Sequence, residues 1–121
     1  MKKFLFLFIL MVSILIGCRE DPYNDTSSEP TYFDVKYEVT GTTSKVDITI
    51  ENESGGTSQF SDVSVPWIYE FRRISGSFVY LSAQNQLSSG SVTVTIYKNG
   101  NVFKSSSSSG AYVIATAYGT L

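Results

Sequence analysis

The 121-residue sequence predicts an all-β domain, a small antiparallel β-sandwich of the immunoglobulin-like or Greek-key kind with six to eight strands. Three observations predict it. Apolar residues recur at every second position from Tyr32 onward, the period of a strand with one face in a core. No segment after Cys18 combines helical periodicity with helix caps. Turn signals rich in Gly, Asn and Ser punctuate the chain at spacings of roughly ten residues.

The N-terminus precedes that domain. Met1-Lys2-Lys3 is a short basic start. Phe4 to Ile16 is almost unbroken hydrocarbon, with Ser13 as the polar interruption. That run has the length of a secretory signal and falls short of the ~20 apolar residues of a membrane-spanning helix. It closes on Leu15-Ile16-Gly17-Cys18, which resembles the lipobox of bacterial lipoproteins. A small residue at Gly17 fits the peptidase pocket, and the Cys18 thiolate is the nucleophile that accepts a diacylglyceryl group. The expectation is a signal peptide over 1–17, cleavage between Gly17 and Cys18, and lipid on Cys18. The rival reading is a signal anchor that merely contains a cysteine. Basic start, apolar run, small residue and the sole cysteine coincide, and they favour lipidation. Each buried methylene contributes ~0.8 kcal/mol, and two or more chains hold a protein at a membrane.

Residues 18–31 carry the lipid site and then a polar stretch with two prolines and four acids, expected to be a flexible tether. Arg19-Glu20-Asp21 resembles the acidic export signal of surface lipoproteins in the Bacteroidota, beside the plainer reading that tethers are polar. The expected address is the cell envelope, at the outer membrane, facing either the periplasm or the cell surface. The acids match no EF-hand spacing. Removal of Lys2 and Lys3 leaves seven basic against eleven acidic residues, a net charge of −4. A domain of that charge is not built to coat nucleic acid, so no nucleic-acid partner is expected.

The domain proper is expected over 32–121. Phe33, Val35, Tyr37 and Val39 alternate with Asp34, Lys36 and Glu38. After Gly41-Thr42-Thr43-Ser44, Val46, Ile48 and Ile50 alternate with charged and hydroxyl residues. These read as a pair of half-buried antiparallel strands. Asn52 to Ser58 is a turn around Gly55-Gly56. Gln59 to Val65 is a third strand that Pro66 ends or confines to an edge. Trp67 to Ile74 puts Trp67, Tyr69 and Phe71 on one parity. Phe78 to Gln84 puts Val79, Leu81 and Ala83 on one face and Phe78 and Tyr80 on the other. Asn85 to Gly90 is a loop. Val92, Val94 and Ile96 alternate with Thr93, Thr95 and Tyr97, and Asn99-Gly100 then signals a tight hairpin. Asn101 to Ser106 is its returning strand, Ser105 to Gly110 a serine-rich exposed loop, and Ala111 to Tyr118 the closing segment.

Val35-Lys36-Tyr37-Glu38-Val39-Thr40-Gly41, Ile48-Thr49-Ile50, Val65-Pro66-Trp67, Ser82-Ala83-Gln84 and Val94-Thr95-Ile96 followed by Asn99-Gly100 resemble, in that order, the soluble domain of the MmpS family. Members of that family are small mycobacterial membrane proteins that assist MmpL exporters of lipids and siderophores. The likeness runs over about residues 33–118. It implies a small β-sandwich and an exporter as partner. Two features depart from the family: a lipid anchor replaces its transmembrane helix, and its late cysteine pair is missing, because no cysteine follows Cys18.

The chain has no histidine, and its one cysteine is the lipid site. Ser-His-Asp and Cys-His triads and the usual zinc sites are therefore excluded. Asp34, Glu38, Asp47, Glu51 and Glu70 fall mostly on the polar parity of their strands, where solvated charges belong. No cofactor, metal or catalytic residue is expected. Trp67 reads as either a core plug or an exposed stacking platform. Arg72-Arg73 reads as one side chain on each face or as a clamp for a carboxylate or phosphate. Tyr69, Tyr80, Tyr97, Tyr112 and Tyr118 read as ordinary strand residues or as one outward aromatic stripe. The candidate binding residues are thus Trp67, Tyr69, Arg72, Arg73, Tyr80 and Tyr97. Two functions fit: a partner-binding accessory module of the envelope, serving a transport or assembly complex, or a glycan- or lipid-binding surface lipoprotein.

Overall fold

Alternating apolar residues give each stretch of chain one oily face, and that face must find a second sheet to cover it. In the computed structural model, which describes residues 28–121, the chain does this with eight strands. They are β1 (Tyr32–Gly41), β2 (Lys45–Glu51), β3 (Thr57–Ser64), β4 (Trp67–Ile74), β5 (Phe78–Asn85), β6 (Ser91–Lys98), β7 (Asn101–Ser109) and β8 (Ile114–Thr120). Two four-stranded sheets have the orders β4-β1-β6-β7 and β3-β2-β5-β8. Every pairing is antiparallel. No helix interrupts the described residues. The expected signal peptide over 1–17, the expected lipid site at Cys18 with its cleavage point after Gly17, and most of the expected tether lie outside the described residues.

Only β2–β3 and β6–β7 are hairpins; every other connection crosses between sheets. β1 pairs with β4 and β2 with β5, while β1 leads to β2 and β4 to β5 across the sandwich. The result is an antiparallel β-sandwich with Greek-key crossings. β1 and β2 were expected to pair with each other, and they do not. Both bury alternate residues, but they face one another across the core from opposite sheets. The four residues Thr42–Ser44 and Gly41 serve as an arch rather than a hairpin turn.

The core is made mostly of β-branched and small side chains at alternate positions, with Tyr37 and Leu81 among them. Val35, Tyr37 and Val39 of β1 and Val92, Val94 and Ile96 of β6 meet Val46, Ile48, Ile50, Val79, Leu81 and Ala83 of the other sheet. Such residues suit a pleated surface, and each fully buried Val, Leu or Ile contributes about 1.5–3 kcal/mol. The returning strand was expected over Asn101–Ser106 and an exposed loop over Ser105–Gly110. The strand instead runs on through the serines as β7, paired with β6 as far as Ser109. Its outward serines join threonines across the ladder, Ser107 to Thr93 at 2.7 Å and Ser105 to Thr95 at 3.2 Å. Its inward serines are small enough to let β8 come close. A Cβ at Gly119 of β8 would lie 3.0 Å from the Phe103 ring and from Lys104 Cε, so a side chain there would have to push both aside. The sandwich is thereby closed along the β7–β8 corner.

Two polar side chains of the interior hold these layers in place. Tyr37 is fully buried and spans from one sheet to the other. Its hydroxyl donates to the Glu51 carbonyl at 2.8 Å and accepts from the Tyr80 N–H at 3.2 Å. Asn85 is also fully buried, at the end of β5. Its Oδ1 accepts from the Thr43 hydroxyl at 2.6 Å and from the Leu87 N–H at 3.0 Å. Its Nδ2 donates to the carbonyls of Ser89, at 3.0 Å, and Gly110, at 2.9 Å. One amide thus ties the β1–β2, β5–β6 and β7–β8 connections together, with all four of its hydrogen-bonding positions filled.

Two outcomes follow. Asn85→Ala strands several buried partners and should lower the free energy of unfolding by about 2–4 kcal/mol in a urea titration. Burial pushes the Tyr37 hydroxyl pKa up to about 12, with the nearby Glu51 charge adding to the rise. The unfolded chain loses that proton near pH 10 while the folded chain keeps it, so this part of the stability is complete below pH 10 and is lost as pH rises toward 12. Wild type should therefore lose about 2–3 kcal/mol more than Tyr37→Phe over that range.

Candidate functional site

The six candidate residues separate into three places. Trp67, Tyr69 and Arg73 share the inward parity of β4, Arg72 and Tyr97 lie on the outer face of the β4-β1-β6-β7 sheet, and Tyr80 lies on the outer face of the other sheet.

Trp67 and Tyr69 are half-buried parts of the wall between the sheets. Phe60 of β3 lies 5.3 Å from Trp67, and the Trp67 and Tyr69 rings stack at 5.9 Å. Phe71 continues the row at 5.6 Å from Tyr69 and meets Tyr37 edge-on at 5.0 Å. β3 and β4 are edge strands of different sheets, and this aromatic row fills the gap between them. Trp67 is thus a plug at the rim of the core. The Tyr69 hydroxyl donates to Glu53 Oε1 in the β2–β3 turn. That bond holds the Glu53 carboxyl below its usual range and the Tyr69 hydroxyl above its own. Arg73 reaches the same turn, where its Nη1 donates to the Asn52 carbonyl at 2.7 Å.

Arg72 points the other way, so adjacent arginines do serve opposite faces. It lies 3.7 Å from Asp34 and above the Tyr32 ring. Both charged side chains are more than two-thirds exposed, so the pair contributes little. Beside it runs an open cleft of about 480 Å³ lined by Asp34, Lys36, Glu70, Phe71, Arg72 and Tyr97. The Tyr97 hydroxyl donates to Glu38 at 2.9 Å, which raises its pKa, and the Lys36 ammonium sits 4.5 Å over its ring. Tyr97 therefore has one ring face and its polar tip already engaged.

Tyr80 belongs to a different surface. It opposes Tyr118 across the β5–β8 ladder, and Phe78 touches both, with ring centroids 6.4 and 6.2 Å apart. Phe78 is 43% exposed, Tyr118 59% and the neighbouring Ile114 of β8 53%. Of the two readings of the tyrosines, ordinary strand residues or one outward stripe, the stripe is not formed. Tyr69 faces inward, Tyr97 and Tyr80 stand on opposite outer faces, and Tyr112 sits in the β7–β8 turn at φ 56°. Phe78 was missed as part of a surface patch. Its parity with Tyr80 was legible, but its closeness to Tyr118 depends on β5 pairing with β8.

Among the described residues no group of three or more Cys, His, Asp or Glu side chains is placed to hold a metal ion. No helix there is long and apolar enough to cross a membrane. No protein-family model matches the sequence, and no curated protein matches it either.

The placements predict a contrast. Trp67→Ala should cost about 2–3 kcal/mol of stability in chemical denaturation, because it opens the wall between the sheets. Arg72→Ala should stay within about 0.5 kcal/mol of wild type.

Proposed function

We propose that the chain is an envelope lipoprotein, anchored through Cys18, whose sandwich acts as a non-catalytic binding module for a partner protein. The observation that carries this reading is the patch of Phe78, Tyr80 and Tyr118 on the outer face of the β3-β2-β5-β8 sheet, which also exposes Ile114. The core closes without these side chains, so the fold does not account for their exposure. Aromatic residues of this kind supply the anchors of protein interfaces. Their ring planes are tilted by 34° and 45°, which suits an irregular protein surface better than the flat face of a sugar. The likeness to the soluble domain of the MmpS family supports a transport complex as the class of partner. The lipobox-like Leu15-Ile16-Gly17-Cys18 supports the membrane address.

A glycan- or lipid-binding role is the second reading. The cleft beside Tyr97 favours it, because Asp34, Glu70 and Arg72 offer both acceptors and donors around an open volume.

Crosslinking in the native envelope, followed by affinity capture and mass spectrometry, tests the first reading. Wild type should capture a defined envelope protein, and Phe78→Ser/Tyr118→Ser should lose it while remaining folded. Equal capture by the double variant would move the interface off this patch. Capture of nothing by wild type would reject a stable partner and direct the search to glycan and lipid arrays.

A further inference from the structure

The edges of the two sheets are not alike. The β3 edge is broken by a bulge, where Asp62 at φ 56° leaves the ladder and donates its N–H to the Asp47 carboxylate. The β7 edge carries a bulge at Phe103. β8 is packed against β7 at the closed corner. Bulges and covered edges are how sheets avoid pairing with other chains. β4 has neither device. It pairs with β1 in unbroken register from Trp67 to Ile74, and among the described residues no strand pairs with its other side.

The direction of its free main-chain groups is readable. Asp34 exchanges hydrogen bonds with Asn99, giving its carbonyl to the Asn99 N–H at 2.7 Å and its N–H to Asn99 Oδ1 at 2.9 Å. The main chain of Asp34 therefore turns toward β6. Main-chain groups alternate sides along a strand. Val35 therefore turns toward β4, and Phe71 opposite it turns toward β1. Ile68, Glu70 and Arg72 are left with their N–H and C=O groups directed out of the sheet, as is the N–H of Ile74, whose carbonyl accepts from the Ser77 N–H at 3.2 Å. The same four side chains stand on the exposed outer face.

These four residues are arranged as a palindrome about Phe71: Ile68, Glu70, Phe71, Arg72, Ile74. We infer that β4 is a self-complementary edge, at which two copies of this chain join antiparallel about a two-fold axis through Phe71 into one continuous eight-stranded sheet. Two-fold pairing requires that residue i meet residue j and that j meet i. Centred on Phe71, Glu70 of each copy opposes Arg72 of the other, and Ile68 opposes Ile74. Both charged contacts are of opposite sign, and both apolar contacts are between isoleucines. Glu70 and Arg72 form the central hydrogen-bonded pairs of the new ladder, each exchanging two main-chain bonds, the Ile74 N–H donates to the Ile68 carbonyl at the flanks, and Phe71 meets its own copy in the non-bonded position. A one-residue shift of the centre would set charges against isoleucines or against each other.

Sedimentation velocity of the full-length chain in density-matched detergent tests this. Wild type should show a concentration-dependent monomer–dimer equilibrium. Glu70→Arg opposes Arg to Arg twice per dimer, and Arg72→Glu opposes Glu to Glu twice, so each alone should weaken the dimer about tenfold or more. An equimolar mixture of the two variants restores opposite signs at both contacts and should recover the wild-type dissociation constant to within about threefold. A folding defect in either variant would not be repaired by mixing. Wild type that stays monomeric, a dimer indifferent to both reversals, or a mixture no tighter than its components would each overturn the inference.

Discussion

The hydroxyl of Tyr37 is the point on which the two sheets are fixed to one another. In the β2–β5 ladder the register runs to Ile50 opposite Leu81, and the next position would set Glu51 opposite Tyr80. That pair is not formed. The Tyr37 oxygen enters from the opposite sheet and takes its place, accepting from the Tyr80 N–H and donating to the Glu51 carbonyl. A buried main-chain group without a partner costs about 1–3 kcal/mol, so the end of the ladder is satisfied only when the sheets stand at the distance a tyrosine spans. The ring packs edge-on against Phe71 and beside Tyr69, so the same residue sets the depth of the aromatic wall that runs to Trp67. Spacing, register and the closed rim therefore share one cause.

The domain contains no cysteine after Cys18, so it has no disulfide to stiffen it. Asn85 supplies at the opposite end what a covalent link supplies in many exported domains, drawing three chain connections to one amide. With the interior closed by these two polar residues, the outer faces are free of structural duty. One carries the Phe78–Tyr80–Tyr118 patch, the other the charged cleft and the self-complementary β4 edge.

Much of the fold was legible because period-two alternation is a local signal. Val35-Tyr37-Val39 and Val92-Val94-Ile96 declare their buried face without knowledge of their neighbours, and Asn99-Gly100 declares its turn because both residues accept positive φ, 51° and 86° here. Partnership was not legible. Nothing in β1 and β2 says that they face each other from opposite sheets, because alternation identifies a face and not its owner. The serines of β7 conceal a strand, since low β-propensity is overridden by the ladder they form with β6 and by the small volume that the close approach of β8 requires. Asn85 falls on the same parity as Val79, Leu81 and Ala83, which is the trace its burial leaves in the sequence. The surface patch needed the β5–β8 pairing, and the choice between one tyrosine stripe and ordinary strand residues needed the same knowledge of which strand owns which face.

Amide hydrogen exchange at Tyr80 tests the role of Tyr37 most directly. In wild type this amide should exchange only through global unfolding, as slowly as its buried neighbour Leu81. In Tyr37→Phe it should exchange far faster than Leu81, because its N–H loses the only acceptor that replaces the missing ladder pair. Equal protection of Tyr80 and Leu81 in the variant would contradict the account and show that the sheets are held in register without that hydroxyl.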